Sequence, residues 1–248
     1  RKALMHSQDH HSAWASRPAL EAAGVTAPGR AVAGGVIVRD AHDEPTGLLL
    51  ENAVDLVADV VPAPTRAQLR AALDRAAKHL ASLGVATVHH MAAEGPSLWR
   101  ELALAASDDS YPLRVWACIP HQDLEAAAAI GLATNQGGRN FRVGGAKFFA
   151  DGALGSRTAW MLEPYAGTSE VGMAMDGPEV MRERVPLAIA SGLVPVVHAI
   201  GDAAVRATLD AFEATQEQWR ALGLRPRLEH AQHMHPDDVA RAGRLGIV

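Results

Sequence analysis

Three side chains that can bind a metal ion end predicted strands in this 248-residue sequence. Lys147 lies in an apolar stretch after the pair Gly144-Gly145, and His198 and His230 end two later stretches, one strand–helix unit apart. The carboxyl ends of consecutive parallel strands meet at one rim, so these side chains are expected to converge there. Two imidazole rings and one oxygen ligand from a modified lysine suit zinc or a similar divalent ion, which the sequence therefore predicts.

Of these three residues, Lys147 has the largest number of possible roles. Lysine occurs only at positions 2, 78 and 147, and arginine supplies the other basic residues. A desolvated lysine can lose its proton and act as a nucleophile, which arginine cannot do. Its amine can capture carbon dioxide as a carbamate that bridges metals, or form a Schiff base with a carbonyl substrate. The structural alternative is a lysine that reaches the strand end or pairs with Asp151, which shares its face of the strand.

Further polar residues follow the same strand ends. Asp202, four residues after His198, can relay protons or cap the next helix. His89 and His90 end an earlier strand, so one of them faces inward and His90 is a candidate for substrate binding. Arg157 lies in a turn rich in glycine and serine, where it can bind an anionic or carbonyl group, although a solvated arginine is the default expectation for a loop.

These residues must be positioned by a parallel sheet. Thr65 and Gln68 form a capping box before a helix that ends at Gly84. After it, apolar strands alternate with amphipathic helices, which is typical of a parallel sheet covered by helices. The predicted strands are 85–90, 113–119, 141–150, 193–198 and 227–231, with another starting at 246, and the predicted helices are 96–107, 122–130, 178–191, 203–221 and 236–244.

The fold class is α/β, and the (β/α)8 TIM barrel is favoured over a doubly wound sheet. The dinucleotide-binding glycine signature and the P-loop are both absent from the sequence. Polar residues at strand ends are typical of barrel enzymes, and five strand–helix units form an incomplete barrel. Residues 65–248 are predicted to form these units. Residues 1–64 are predicted to be a loop-rich segment with one short helix near 51–59, covering the active-site side of the barrel.

Composition narrows the classes of partner. A net charge of −5 argues against a nucleic-acid binder, and no apolar run approaches the length of a membrane helix. The single cysteine, Cys118, excludes a disulfide framework and favours a reducing compartment, so a cytoplasmic location is expected. The expected partner is a small-molecule substrate. A barrel without its terminal strands has unpaired edges, which also favours a homo-oligomer.

The sequence resembles the amidohydrolase superfamily, and closely its family 3, the YtcJ-like branch. The stretch from Asp9 to Trp14 resembles another motif of that family, with His10 in place of glycine, and Ser16 stands where asparagine is usual. The main motifs that carry the resemblance are 145–159, Pro164-Tyr165, 198–202 and 228–232.

The resemblance implies a metal-dependent hydrolase that cleaves carbon–nitrogen bonds other than peptide bonds on a (β/α)8 barrel. It implies that Lys147 is carboxylated and that His198 and His230 bind one or two divalent ions, zinc above all. His230 and Asp202 are then the predicted catalytic residues of this chain, and the predicted substrate-binding residues are His11, Arg157, Asp151 and His90.

The family's first-strand His-x-His would precede residue 1, and its last-strand aspartate would follow residue 248. The chain is therefore expected to be an internal portion without the first and last barrel strands. Two alternatives stay open at this point. One is a truncated or degenerate barrel that binds ligands without turnover. The other is an aldolase-type barrel with Lys147 as a Schiff-base lysine.

Overall fold

The first part of the chain forms an antiparallel sheet rather than the predicted loop-rich segment. The computed structural model describes residues 1–27, 29–91 and 95–248. Its first four strands pair in the order β1-β2-β4-β3. The prediction of irregular structure is wrong here because the strands are short and the turn residues between them dominate the local pattern. The strands are β1 (Leu4–His6), β2 (Ser12–Ala15), β3 (Gly35–Arg39) and β4 (Pro45–Glu51).

Two short helices pack on one face of this sheet, α1 (Arg17–Ala22) and α2 (Asp55–Ala58), the second within the predicted helical range. Alternate residues of β4 are buried, as expected for a strand with one covered face. Leu49 is fully buried there and belongs to a core cluster with Leu20 of α1 and Val57 of α2. The N-terminal sheet therefore has an apolar core of its own.

The second sheet consists of five parallel strands in sequential order, as the alternation of strands and helices predicts. Each strand occupies its predicted range to within a few residues. The strands are β5 (Thr87–His90), β6 (Arg114–Pro120), β7 (Phe141–Phe149), β8 (Pro195–Ala199) and β9 (Arg227–His230).

Helices cover the outer face of this sheet. The predicted capping box at the start of α3 is present, because Thr65 and Gln68 each bond the other's main chain. The helix predicted over 203–221 is divided at Thr215, whose hydroxyl donates to the carbonyl oxygen of Ala211. The helices are α3 (Arg66–Ser82), α4 (Gly95–Ala106), α5 (Leu124–Ala129), α6 (Pro178–Ala190), α7 (Asp202–Ala214), α8 (Gln216–Ala221) and α9 (Pro236–Leu245).

The parallel sheet is curled, so that side chains of its two outermost strands meet over the inner face. Arg227 of β9 has its Nη1 atom 3.1 Å from Nδ1 of His89 in β5. The guanidinium carbon of Arg227 also lies 5.0 Å from the centre of the Trp116 ring in β6. The described residues thus form a half-barrel, and the complete (β/α)8 barrel stays a prediction.

The strand predicted to start at residue 246 is not assigned as a strand, but Val248 already pairs with β9. Its main-chain N–H donates to Pro226 O at 3.0 Å, and its carbonyl oxygen accepts from Leu228 N at 2.8 Å. In the described part of the chain, no helix combines the length and the apolar character that crossing a membrane requires.

Two leucines of α4 test how the half-barrel is stabilised. Leu102 is 5% exposed and packs against β6, whereas Leu104 is 46% exposed on the same helix. Leu102→Ala is expected to lower the free energy of unfolding by about 2 to 5 kcal/mol, because it leaves a cavity in the core. Leu104→Ala is the matched control and is expected to change it by about 0.5 kcal/mol or less. Urea denaturation measures both, and equal losses would contradict this packing.

Candidate metal centre

The register of the parallel strands decides which side chains face the inside of the curl. Phe148 of β7 and its pairing partner Val197 of β8 belong to the core under the outer helices. Side chains alternate along a strand, so Lys147 and Phe149 lie on the inner face. Phe149 pairs with His198, which places His198 on the inner face as well.

Lys147 is buried without an ionic partner at hydrogen-bond distance in the described part of the chain. Its side chain is 3% exposed, and Nζ donates to the carbonyl oxygen of Phe148 at 2.9 Å. Nζ also lies 4.1 Å from the centre of the Phe149 ring. Burial lowers the pKa of Lys147 to about 8, so the neutral amine that carbamate or Schiff-base chemistry needs is accessible near neutral pH.

His198 is held in one tautomer by the main chain. Its Nε2 atom lies 2.8 Å from the carbonyl oxygen of Gly152, which can only accept a hydrogen bond. Nε2 therefore carries the hydrogen, and Nδ1 carries the lone pair that a metal ion requires. Burial lowers the pKa of His198 to about 3, so the ring stays neutral. Histidines that bind metals typically donate their other ring N–H in this way.

His230 reaches the same place through an unusual backbone. In the sheet it pairs with Ala199, which belongs to the outer core, so regular strand geometry would direct its ring away from His198. His230 instead has a φ of 73° and Ala231 a φ of 47°, both in the left-handed region. The His230 ring centre lies 4.7 Å from that of His198, in an edge-to-face arrangement. Burial lowers the pKa of His230, which also favours its neutral form.

The donor set fits a divalent metal ion. His198 and His230 offer neutral imidazoles at one place, and Lys147 shares contacts with the Phe149 ring, whose centre is 5.5 Å from that of His198. Among the described residues, no group of three or more His, Cys, Asp or Glu side chains is arranged to hold a metal. Lys147 adds a buried amine beside the Phe149 ring, and its role as a carbamate ligand stays a prediction.

Asp151 is buried and hydrogen-bonded to the main chain of two loops. It is fully buried, and its two oxygens accept hydrogen bonds from three main-chain N–H groups, those of Trp160, Ile200 and Gly201. Burial raises the pKa of Asp151 to about 6 in spite of these bonds. The carboxyl group joins the loop after β7 to the loop after β8, and the substrate-binding role predicted for Asp151 stays a prediction.

Glu51 is a site residue that the sequence analysis missed. It is 8% exposed, its Oε2 atom lies 2.8 Å from Nδ1 of His11, and its Oε1 atom accepts from the Thr158 hydroxyl. The His11 ring centre lies 5.3 Å from that of His198, and the substrate-binding role of His11 stays a prediction. The hydrogen bond to Glu51 raises the pKa of His11. The sequence feature that could have indicated Glu51 is its position as a charged residue directly after the apolar run 48–50.

The register reverses the assignment of the histidine pair in β5. His90 pairs with Ala117, which belongs to a core cluster on the helix-facing side with Val88 and Leu102. His89 lies on the inner face, where its ring centre is 5.1 Å from that of Trp116. The residue that faces inward is therefore His89, and the choice of His90 is wrong. Side chains alternate along a strand, but the sequence does not show which residue of the strand is the first to face inward.

The two remaining predicted site residues are Asp202, at the start of a helix, and Arg157, in a turn. Asp202 is the first residue of α7, one position after the N-cap Gly201, and it accepts a hydrogen bond from Leu162 N at 2.8 Å. Arg157 is exposed and has a φ of 57° in the turn after β7. The structure gives Asp202 a local structural partner, and the catalytic and substrate roles of these two residues stay predictions.

The chain is similar to known proteins over its whole length. A sequence model of the amidohydrolase family matches residues 1–248. "Protein LONG AFTER FAR-RED 3" of Arabidopsis thaliana is 33% identical over 258 residues, covering 97% of this chain and 43% of that protein. "Putative amidohydrolase YtcJ" of Bacillus subtilis (strain 168) is 32% identical over 255 residues, covering 100% of this chain and 46% of that protein.

Two solved structures show the same architecture. An uncharacterized metal-dependent hydrolase from Pyrococcus horikoshii OT3 has a TM-score of 0.76 at 27% identity, covering 100% of this chain and 48% of that one. Its counterpart from Pyrococcus furiosus has a TM-score of 0.74 at 26% identity, covering 100% and 49%. The chain thus spans less than half the length of each of these relatives.

Two glycines of the loop after β7 test how His198 is oriented. A Cβ at Gly152 would lie 2.1 Å from Oγ1 of the buried Thr158, whereas a Cβ at Gly155 would meet its nearest atom at 3.8 Å. Gly152→Ala is expected to lower the free energy of unfolding by about 1 to 3 kcal/mol through overpacking. Gly155→Ala is the matched control and is expected to change it by about 0.5 kcal/mol or less.

Urea denaturation measures this difference, and a histidine NMR spectrum reports the His198 ring. Gly152→Ala is expected to shift the His198 signals, because the carbonyl that accepts from Nε2 belongs to the displaced residue. A fully stable Gly152→Ala variant with unchanged His198 signals would contradict the geometry.

Proposed function

Because the chain belongs to the amidohydrolase family, we propose that the protein is a metal-dependent hydrolase acting on carbon–nitrogen bonds other than peptide bonds. The observation that carries the proposal is the meeting of His198 and His230, with Lys147 buried beside them. The solved relatives described as metal-dependent hydrolases support the metal. The chain spans less than half of those proteins, so the proposal concerns the protein at its full length.

The proposed metal ligands are the carboxylated Lys147, His198 and His230. These residues would hold a divalent ion, zinc above all, which would supply Lewis-acid polarisation of the scissile carbonyl group and activation of water. His198 contributes the Nδ1 lone pair, since its Nε2 hydrogen is held by Gly152 O. Lys147 contributes an amine whose burial favours the neutral form that captures carbon dioxide.

The other residues of the chain bind the substrate and carry protons. His11 lies against His198 and contacts the substrate's polar group in this proposal, while the exposed Arg157 contacts it from the loop. His230 is proposed to carry protons through the ring nitrogen that does not bind the metal, because its side chain is exposed at the end of β9. Asp202, at the start of α7, is proposed to assist it.

The substrate class, the cellular location and the oligomeric state are also part of this proposal. A small amide-like molecule suits a centre at the mouth of a half-barrel. The single cysteine and the net charge of −5 support a cytoplasmic protein without nucleic-acid or membrane partners. The homo-oligomer expected from the sequence belongs to the same proposal.

Lys147→Arg tests the proposed ligand set in the full-length protein. Arginine keeps the charge but cannot lose its proton or form a carbamate, so it removes one ligand. Metal content measured by elemental analysis is expected to fall well below that of the wild-type protein, because the centre loses one of its ligands. Hydrolysis of an amide probe such as p-nitroacetanilide is expected to be lost with it.

Lys78→Arg, on the exposed side of α3, is the matched control and should leave both readouts unchanged. A ¹³C NMR spectrum in ¹³C-bicarbonate should show a carbamate signal in the wild type that is absent from Lys147→Arg. Wild-type metal content in Lys147→Arg would overturn the ligand assignment. Trapping of Lys147 by borohydride with a carbonyl compound would favour Schiff-base chemistry instead.

A further inference from the structure

Glu51 is a buried carboxylate that the proposed ligand set leaves without a role. Burying a charged group is costly unless it is paired and hydrogen-bonded. Glu51 meets both conditions: Oε2 binds Nδ1 of His11 at 2.8 Å, and Oε1 accepts from the hydroxyls of Thr158 and Ser156. Its partners come from two parts of the chain, the start of β2 and the loop after β7.

Two separate paths of contact lead from Glu51 to His198. The first passes through His11, whose ring centre lies 5.3 Å from that of His198. The second passes through Gly152, where a Cβ atom would lie 2.4 Å from Oε1 of Glu51. Gly152 is also the residue whose carbonyl oxygen fixes the tautomer of His198. Glu51 therefore packs against both neighbours that define the surroundings of this proposed ligand.

The backbone at Glu51 supports a specialised role. Its φ of 49° lies in the left-handed region, at the last residue of β4. A residue other than glycine rarely adopts this conformation, because its Cβ atom crowds the following carbonyl oxygen. Such strain is concentrated at functional sites, where the surrounding structure holds it in place.

We propose that Glu51 is a positioning residue, which fixes the tautomer and orientation of His11 so that its Nε2 atom meets the substrate. A carboxylate only accepts hydrogen bonds, so Nδ1 of His11 carries the hydrogen toward Glu51. Nε2 is then the ring atom available to a polar group bound at the centre. This role rests on the proposed hydrolase function, because it concerns how the same centre holds its substrate.

A purely structural role for Glu51 is the alternative that the test must separate. In that case the carboxylate would only join the N-terminal sheet to the loop after β7, and the His11 ring would be indifferent to it. Both roles predict lower stability when Glu51 is changed. Only the positioning role predicts a change in where the His11 hydrogen lies.

The test is ¹⁵N NMR of histidine-labelled full-length protein without substrate, with His11 identified by the signal missing from His11→Gln. Wild-type His11 is expected to show a protonated Nδ1 with a slowly exchanging hydrogen. Glu51→Gln is expected to lose this signature, because the amide is uncharged and only one of its two terminal atoms accepts, whereas His11 and Thr158 meet different oxygens of Glu51. Glu44→Gln is the matched control in the same sheet, where the exposed Glu44 binds Arg17 at 2.9 Å, and it should leave His11 unchanged.

Thr158→Val separates the two roles further. It removes the hydrogen bond from Thr158 to Glu51, leaves that from Ser156, and is expected to lower stability while leaving the His11 signature in place. An unchanged His11 signal in a folded Glu51→Gln variant would overturn the proposal. If Glu51→Gln does not fold, the wild-type spectrum decides alone, because a His11 hydrogen on Nε2 with a free Nδ1 would contradict it.

The readouts also separate this proposal from the hydrolase function. The metal content of Glu51→Gln is expected to stay at the wild-type value, because Glu51 is not a proposed ligand. Loss of the His11 signature with wild-type metal content supports the positioning role. Absence of metal from the wild-type protein would count against the hydrolase function and would leave the His11 result readable.

Discussion

The hydrogen bond between His198 Nε2 and the carbonyl oxygen of Gly152 is the interaction on which the candidate centre depends. It decides which ring nitrogen of a buried histidine carries the hydrogen, and therefore which one can bind a metal. The bond exists because the chain turns directly after β7, where only glycine fits beside Thr158. The ligand is thus prepared by the loop that follows the neighbouring strand.

Two buried carboxylates hold that loop, and they do so by different means. Asp151 accepts three main-chain N–H groups and joins the loops after β7 and β8. Glu51 accepts from side chains and joins the N-terminal sheet to the same loop. Since burial penalises an unpaired carboxylate, each stays in place only while its donors do. The centre therefore requires the first sheet as well as the half-barrel.

The sequence was sufficient for those features that repeat with a period or carry a strong local signal. The five parallel strands, the capping box at Thr65 and the ends of β8 and β9 were all predictable from apolar periodicity and turn residues. The N-terminal sheet was not, because antiparallel strands of three to seven residues pair across long separations that local patterns do not report.

Some residues of the candidate site could also be predicted from the sequence, and others could not. Lys147 and His198 stand at strand ends and could be assigned from parity, but His90 was chosen over His89 because parity needs a fixed inward residue. Glu51 lies far along the chain from its partner Thr158, so only the folded structure brings the two together. The left-handed backbone that brings His230 to His198 has no sequence signal of its own.

The most direct measurement is an anomalous-scattering map at the zinc edge from crystals of the full-length protein grown with zinc. The account predicts a peak at about 2.0 to 2.1 Å from Nδ1 of His198 and from a ring nitrogen of His230, with density for a carbamate on Lys147. Density showing an unmodified Lys147 bound to Phe148 O, with no anomalous peak between the two histidine rings, would contradict it.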